Sequence, residues 1–217
     1  MKRILFLSVF AALLGGCIPV NQEGEGSTTD TVGVDSVDNV VVADPELTEP
    51  EPEPEPPFTS PDLKFFRVQG HVKKIKEGDF TYHFTQDGEW HPGKLVPDAK
   101  TKLKRNKLGQ IVKLIISYDE ESYDLTEYAY NSDGYVCSME DSWECEGLWT
   151  SKYSTNERGW ILTERRETYL PTDEPEYSHL TYTYTKIDDQ GNWLKCVVKC
   201  REDGSKSTIT RKITYWE

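Results

Sequence analysis

The sequence predicts an all-β domain, a twisted antiparallel meander sheet of hairpin repeats, which follows a disordered, acidic, proline-rich tether. Three observations predict this fold: strand-like alternation, turn signals at regular intervals, and an aromatic-rich composition. Residues 62–217 are poor in aliphatic side chains but hold all 18 tryptophans and tyrosines of the 217-residue chain. Aromatic residues favour strands, and their large rings supply the apolar area that the aliphatic residues do not.

Residues 1–16 are predicted to be a signal peptide. Lys2 and Arg3 precede an apolar run over residues 4–14, which as a helix rises only about 16 Å and cannot cross a bilayer core of about 30 Å. Residues 14–17 (LGGC) resemble the lipobox of bacterial lipoproteins. This resemblance implies a mature chain that begins at Cys17, carries lipid there and belongs to the cell envelope as an outer-membrane lipoprotein, facing the periplasm or the surface. The alternative is an ordinary secretory signal with a chance cysteine.

Residues 17–61 are predicted to form the tether. Residues 18–61 hold eleven acidic and no basic residues, and residues 49–56 alternate Glu and Pro. Proline removes backbone donors and like charges repel, so this composition favours extended polyproline II over a packed core. The tether carries most of the formal net charge of −13, and only −4 falls on residues 62–217. Because this charge balance offers no basic patch, nucleic acid is excluded as a partner.

Residues 62–217 are predicted to be the all-β domain. Apolar and polar side chains alternate in residues 179–185, 193–200 and 207–215. Each predicted strand therefore has one buried and one solvent-exposed face. Most of the turns between strands have Asn or Asp three residues before Gly. Gly supplies the positive φ that short hairpin loops need, and the Asn or Asp side chain bonds the local backbone. Roughly ten strands and no amphipathic helix are expected in this domain.

A repeated frame runs through these turns: an aromatic strand end, Asn or Asp, two residues, Gly, any residue, and a large apolar residue. It occurs at residues 128–136, 153–161 and 182–194, and from Gly109 its glycines recur at 25, 25 and 32 residues. The frame resembles the YD repeats of RHS-type proteins and of short Bacteroidota lipoproteins, over about residues 105–217. This resemblance implies a sheet of stacked hairpins at the cell envelope, and it carries over no catalytic residue.

Four cysteines lie in the domain. Cys196 and Cys200 share one face of a predicted strand and lie about 13 Å apart, whereas a disulfide needs Cα atoms within about 7 Å. We expect these two to be buried thiols. Cys137 and Cys145 are the disulfide candidate, closed across a predicted turn at residues 140–142. The cysteine spacing does not match a zinc site and the histidines are scattered, so neither a metal nor a cofactor is predicted.

Aromatic residues near turns are the only feature that indicates a function. Flat rings on a rigid sheet stack on sugars or anchor a protein partner. The binding candidates are Trp143, Trp149, Trp160 and Trp193, which lie at or near turns, where a ring can be half-exposed. The alternative is that these rings fill a sheet poor in aliphatic residues. We expect a non-enzymatic binding or scaffold module at the envelope, whose partners are the membrane, through the lipid, and a glycan or protein ligand.

The alternative function is a glycan-acting hydrolase. Such an enzyme would need two carboxylates in a cleft, and the sequence offers Glu120 with Glu121, or Asp141 with Glu144. In a chain with 38 acidic residues, the same carboxylates also fit a solvated face. No nucleophile motif, phosphate-binding loop or dinucleotide fingerprint occurs in the sequence, so no catalytic residue is assigned.

Overall fold

The protein is described by a computed structural model over residues 56–93, 95, 98–143, 147–170 and 174–217. These residues form one sheet of twelve antiparallel strands with a single five-residue helix, which confirms the predicted all-β meander. No helix among them is long and apolar enough to cross a membrane. The elements are α1 (Pro61–Phe65), β1 (Val72–Glu77), β2 (Phe80–Phe84), β3 (Trp90–His91), β4 (Lys100–Arg105), β5 (Ile111–Ser117), β6 (Tyr123–Tyr130), β7 (Val136–Trp143), β8 (Gly147–Thr155), β9 (Ile161–Tyr169), β10 (Glu176–Ile187), β11 (Trp193–Cys200) and β12 (Lys206–Tyr215).

The strand order forces the sheet to curl. Strands β4 to β12 lie side by side in chain order, and β1, β2 and β3 continue the sheet beyond β12, so β3 and β4 are its two edges. Residues 92–99 alone join these edge strands, a reach of about 30 Å. In a flat sheet with a strand spacing of about 4.8 Å, the two edges would lie roughly 50 Å apart. The sheet therefore bends so that one face encloses the core.

Five hairpins carry the same turn at one end of the sheet, because every second connection of a meander lies at the same end. In each turn the N–H of the first residue donates to the carbonyl of the fifth, and the Gly N–H donates to the carbonyl of the first. The sixth residue of every turn is buried, which confirms the predicted frame and extends it. The five are turn 1 (85–90), turn 2 (106–111), turn 3 (131–136), turn 4 (156–161) and turn 5 (188–193).

Residues 57–70, which we call the inner segment, run along this end inside the curled sheet. α1 begins after Ser60, whose side chain accepts a hydrogen bond from the Leu63 N–H (3.1 Å). Leu63, Phe65 and Phe66 are almost fully buried against apolar side chains of β1, β2 and β5 to β9. The helix was not predicted, because five residues are too few to show a helical period. Residues 57–70 belong to the same compact unit as the strands.

One carboxylate of the inner segment contacts both edges of the sheet. Asp62 is only 2% exposed. Its Oδ2 accepts the backbone N–H of Trp90 in β3 (2.7 Å) and a guanidinium N–H of Arg105 in β4 (2.8 Å). Asp62 thus stands where an inter-strand ladder would be needed to join β3 to β4. The inner segment closes the curled sheet through this residue.

From Lys64 onward, the inner segment contacts turns 3 and 4 in chain order. Lys64 Nζ donates to the carbonyl of Asp133 in turn 3 (2.8 Å). Arg67 is 2% exposed, and it donates to the carbonyl oxygens of Val136 in turn 3 (2.9 Å) and Gly159 in turn 4 (2.8 Å). These bonds join the inner segment to the backbone of turns 3 and 4.

The structure changes the interpretation of the cysteines. Residues 140–142 lie inside β7, so the predicted turn there is wrong: the polar run alternates between the two faces of a strand. Cys137 carries a free thiol and Cys145 lies outside the described residues, so their bridge stays a prediction without the turn that suggested it. Cys196 is a buried free thiol as expected, whereas the free thiol of Cys200 is only half-buried.

Replacement of the Asp62 carboxylate should lower the free energy of unfolding of the domain. Asp62→Asn keeps the side-chain shape but removes the charge that Arg105 and the Trp90 N–H contact. Hydrogen bonds to charged groups are worth about 1.5–3 kcal/mol, so we expect a loss of that size in the free energy of unfolding by denaturant. The control, Asp133→Asn, changes an exposed carboxylate in turn 3. Equal stability of the two variants would contradict the closing role of Asp62.

Candidate ligand-binding cavity

A cavity of about 230 Å³ lies between the inner segment and turns 3, 4 and 5. Tyr135, Trp160 and Asn192 form one wall, and each is the fifth residue of its turn. The inner segment forms the opposite wall, from Pro57 to Gln69. The repeat frame leaves the fifth position free, so this position can vary without loss of the turn. The fold thus brings three variable positions to one place.

The charged groups that line the cavity are all cations within the described part of the chain: Lys64, Arg67 and Arg158. Lys64 Nζ lies 5.5 Å from the ring centroid of Tyr135, and the Arg158 guanidinium lies 5.4 Å from that of Trp160. Both distances fit cation–π contact. Burial lowers the pKa of Arg67 to about 10, which still leaves the guanidinium charged at neutral pH.

Asn192 joins the two walls of the cavity through hydrogen bonds. Its Oδ1 accepts the backbone N–H of Gln69 (2.9 Å), and its Nδ2 donates to the Gln69 carbonyl (2.9 Å) and to the Tyr215 hydroxyl (2.8 Å). The Gln69 side chain in turn donates to the carbonyl of Gln190 in turn 5 (2.9 Å). The inner segment, turn 5 and the last strand are therefore held in one hydrogen-bond network. A wall built in this way is preorganised for a ligand.

A glycine lets turns 3 and 4 meet without a gap. Gly159 has a φ of +74°, and a Cβ atom built on it would lie 2.1 Å from the Tyr135 ring. The ring therefore lies directly on the backbone of turn 4. Any larger residue at position 159 would displace Tyr135 and open this side of the cavity.

Two of the four candidate tryptophans are buried rather than half-exposed. Trp160 is 6% and Trp193 5% exposed, which fits the alternative that these rings fill the sheet. Trp193 is the sixth residue of its turn and lies beneath Arg211, whose guanidinium is 3.6 Å from its ring centroid. Trp160 nevertheless lines the cavity, and it is the candidate that the structure brings into a site. The side chain of Trp143 lies outside the described part of the chain.

Trp149 belongs to a polar network on the enclosed face of the sheet. Its Nε1 donates to Ser151 (2.8 Å), whose hydroxyl donates to Glu164 (2.7 Å). Arg166 pairs with the same carboxylate (2.9 Å) and lies 4.3 Å from the centroid of the Trp149 ring. The Tyr182 hydroxyl also donates to Glu164. These partners hold Trp149 in place, and it does not join the cavity.

The carboxylates considered for hydrolysis are not brought together as pairs in the described residues. Glu120 and Glu121 are exposed in the connection between β5 and β6. Asp141 is buried and accepts the hydroxyl of Thr126, and burial raises its pKa to about 6. Its proposed partner, Glu144, lies outside the described residues. Asp141 is therefore a buried structural carboxyl in the part of the chain that can be described.

One cysteine lies beside a histidine and a carboxylate, the residue types of a thiol nucleophile. Cys200 Sγ donates to Glu202 (3.2 Å), and the same carboxylate contacts His179 Nδ1 (2.7 Å). Burial and the bond to Glu202 both raise the pKa of the Cys200 thiol. A nucleophilic cysteine needs the opposite shift, because the thiolate is the reactive form. This arrangement favours a structural role.

Comparison with known proteins finds no family model that matches the chain and no match among curated proteins. Among the described residues, no three His, Cys, Asp or Glu side chains are arranged to hold a metal ion. The sequence interpretation missed Lys64, Arg67, Tyr135 and Arg158 as lining residues. The repeat frame held a usable signal, because equivalent turn positions such as Tyr135 and Trp160 must lie at the same end of a meander.

The raised pKa of Asp141 predicts a specific pH dependence of stability. The folded protein binds this proton more tightly than the unfolded chain, in which the pKa is near 3.8. Its contribution to the free energy of unfolding is therefore full below about pH 4, is lost as the pH rises through about 6, and stays lost above that. Asp141→Asn should remove this loss, when denaturant unfolding is compared over this range. The control Asp87→Asn, at an exposed position in turn 1, should retain the wild-type profile; identical profiles for both variants would contradict the assignment.

Proposed function

We propose that this protein is an outer-membrane lipoprotein, anchored through lipid on Cys17, whose β domain is a non-enzymatic binding module for a glycan at the cell surface. The signal-like N-terminus, the cysteine that ends the lipobox-like residues 14–17 and the acidic tether support the anchor. The recurrence of one hydrogen-bonded turn in five hairpins, three of which carry the full frame, supports the likeness to YD-repeat lipoproteins. A protein ligand is the alternative partner.

The cavity carries the binding part of the proposal. It combines two aromatic rings, Tyr135 and Trp160, with polar and cationic side chains that donate hydrogen bonds. Ligand sites in proteins are concave and combine apolar walls with a few fixed polar groups. Sugars offer both an apolar ring face and hydroxyl groups, so an aromatic wall with donors fits them. No corresponding observation favours the hydrolase.

Lipid attachment is tested at the proposed anchor. Cells that express the full chain are labelled with an alkyne analogue of palmitate, and the protein is recovered and detected. We expect strong labelling of the wild-type chain and none of Cys17→Ser, because the proposed lipid is attached through the thiol of this cysteine. Cys200→Ser, which removes a half-buried thiol of the folded domain, should be labelled like the wild type. Equal labelling of Cys17→Ser would contradict the anchor.

Glycan binding is tested with Trp160 as the reporter. The full-length protein in detergent is titrated with a broad panel of oligosaccharides while tryptophan emission is recorded. A ligand in the cavity should change the emission, because the Trp160 ring forms part of the wall. The change should disappear in Trp160→Phe and remain in Trp216→Phe, whose indole donates to Thr85 outside the cavity lining. If no oligosaccharide changes the emission, glycan binding at this cavity is wrong.

A further inference from the structure

The two cations Lys64 and Arg158 differ from three arginines elsewhere in the domain. Arg105, Arg166 and Arg211 each contact a carboxylate, of Asp62, Glu164 and Glu77 respectively. Lys64 and Arg158, which line the cavity, make no ion pair with any described residue. Their charged groups contact only backbone carbonyl oxygens and aromatic rings. The cavity therefore presents two cations that no described carboxylate contacts.

Both cations keep hydrogen-bond donors for a ligand. An ammonium has three N–H donors and a guanidinium five. Lys64 uses one donor on the Asp133 carbonyl (2.8 Å), and Arg158 makes one long contact to the Gly191 carbonyl (3.4 Å). The stacking of Arg158 on the Trp160 ring restricts the orientation of the guanidinium. A guanidinium with a restricted orientation presents paired N–H donors, which match two oxygens of a carboxylate or a phosphate.

The surroundings of the cavity select a small anion over a polyanion. Asp133, Glu157 and Asp189 lie in the turns that surround the cavity, but none of them lines it. Their charges repel a nucleic acid or another long polyanion, whereas a single anionic group can reach Lys64 and Arg158. The volume of about 230 Å³ is below the range of about 300–1,000 Å³ typical of sites for drug-sized ligands. The site therefore fits one ring or one terminal group.

We propose that the cavity binds a sugar acid, a single saccharide unit whose carboxylate contacts Arg158 and Lys64 and whose ring lies against Tyr135 and Trp160. This inference rests on the proposed glycan-binding function and names the ligand class. The cations bind the carboxylate, and the half-buried Tyr135 ring covers part of an apolar face of the sugar, while Trp160, only 6% exposed, lies beneath the Arg158 guanidinium. A neutral sugar would make the ring contacts but would leave both cations without an anionic partner.

The test compares each acid with its neutral parent. The full-length protein in detergent is titrated by calorimetry with galacturonate, glucuronate and mannuronate, and separately with galactose, glucose, mannose and inorganic phosphate. At least one acid should bind tenfold or more tightly than its parent sugar, and added salt should weaken that binding. Phosphate alone should bind more weakly than that acid, because it lacks the ring.

The matched variants are Arg158→Gln and Arg201→Gln. Both remove one positive charge, and Arg201 is exposed and does not line the cavity. Arg158→Gln should weaken binding of the acid at least tenfold and leave that of the neutral sugar unchanged, whereas Arg201→Gln should bind as the wild type does. Thermal unfolding of each variant verifies that the fold is retained, and Arg158→Lys, which keeps the charge, should recover part of the affinity.

The outcomes separate this inference from the function on which it rests. Neutral sugars that bind as tightly as their acids, or an Arg158→Gln variant with unchanged affinity, overturn the sugar-acid inference and leave glycan binding intact. Phosphate that binds as tightly as the best acid overturns the role of the sugar ring. No binding of any of the sugars, together with silence across the oligosaccharide panel, overturns both proposals.

Discussion

The carboxylate of Asp62 closes the structure, and the remaining architecture depends on it. A meander of hairpins has two free edges, and here they are brought together without a direct ladder between them. Asp62 contacts the backbone of β3 and the Arg105 side chain of β4, so one buried side chain replaces a row of inter-strand bonds. With its edges held in this way, the curled sheet encloses the core on one face.

Closure also explains how a domain poor in aliphatic residues acquires a core. The inner segment places Leu63, Phe65 and Phe66 inside the curl, where rings from several strands converge on them. The centroid of the Phe66 ring lies 4.8 Å from that of Tyr82 and 5.0 Å from that of Trp90. Aromatic pairs at such separations contribute beyond their buried area. The core is thus centred on a segment that belongs to no strand.

The local parts of this fold can be predicted from the sequence, whereas the contacts that close the sheet cannot. Alternation and Asn-x-x-Gly signals are carried by adjacent residues, so strands β10 to β12 and turns 3 to 5 were predicted, whereas the turn predicted inside β7 was wrong. The contacts of Asp62 and Arg67 join residues between 28 and 92 positions apart, and no periodicity reports them. The cavity itself was missed for the same reason. The sequence leaves the exposure of a tryptophan beside a turn signal open until the inner segment is placed over the turns.

The two edges have a consequence for how copies of the domain meet one another. An unpaired strand edge is a template for another chain, and proteins shorten such edges or place lysines on them. β3 spans two residues, Trp90–His91, and β4 carries Lys100, Lys102 and Lys104 in six residues. One edge is too short to recruit a strand, and the other repels its own copy. Crowding of many copies should therefore not drive them into edge-to-edge aggregates.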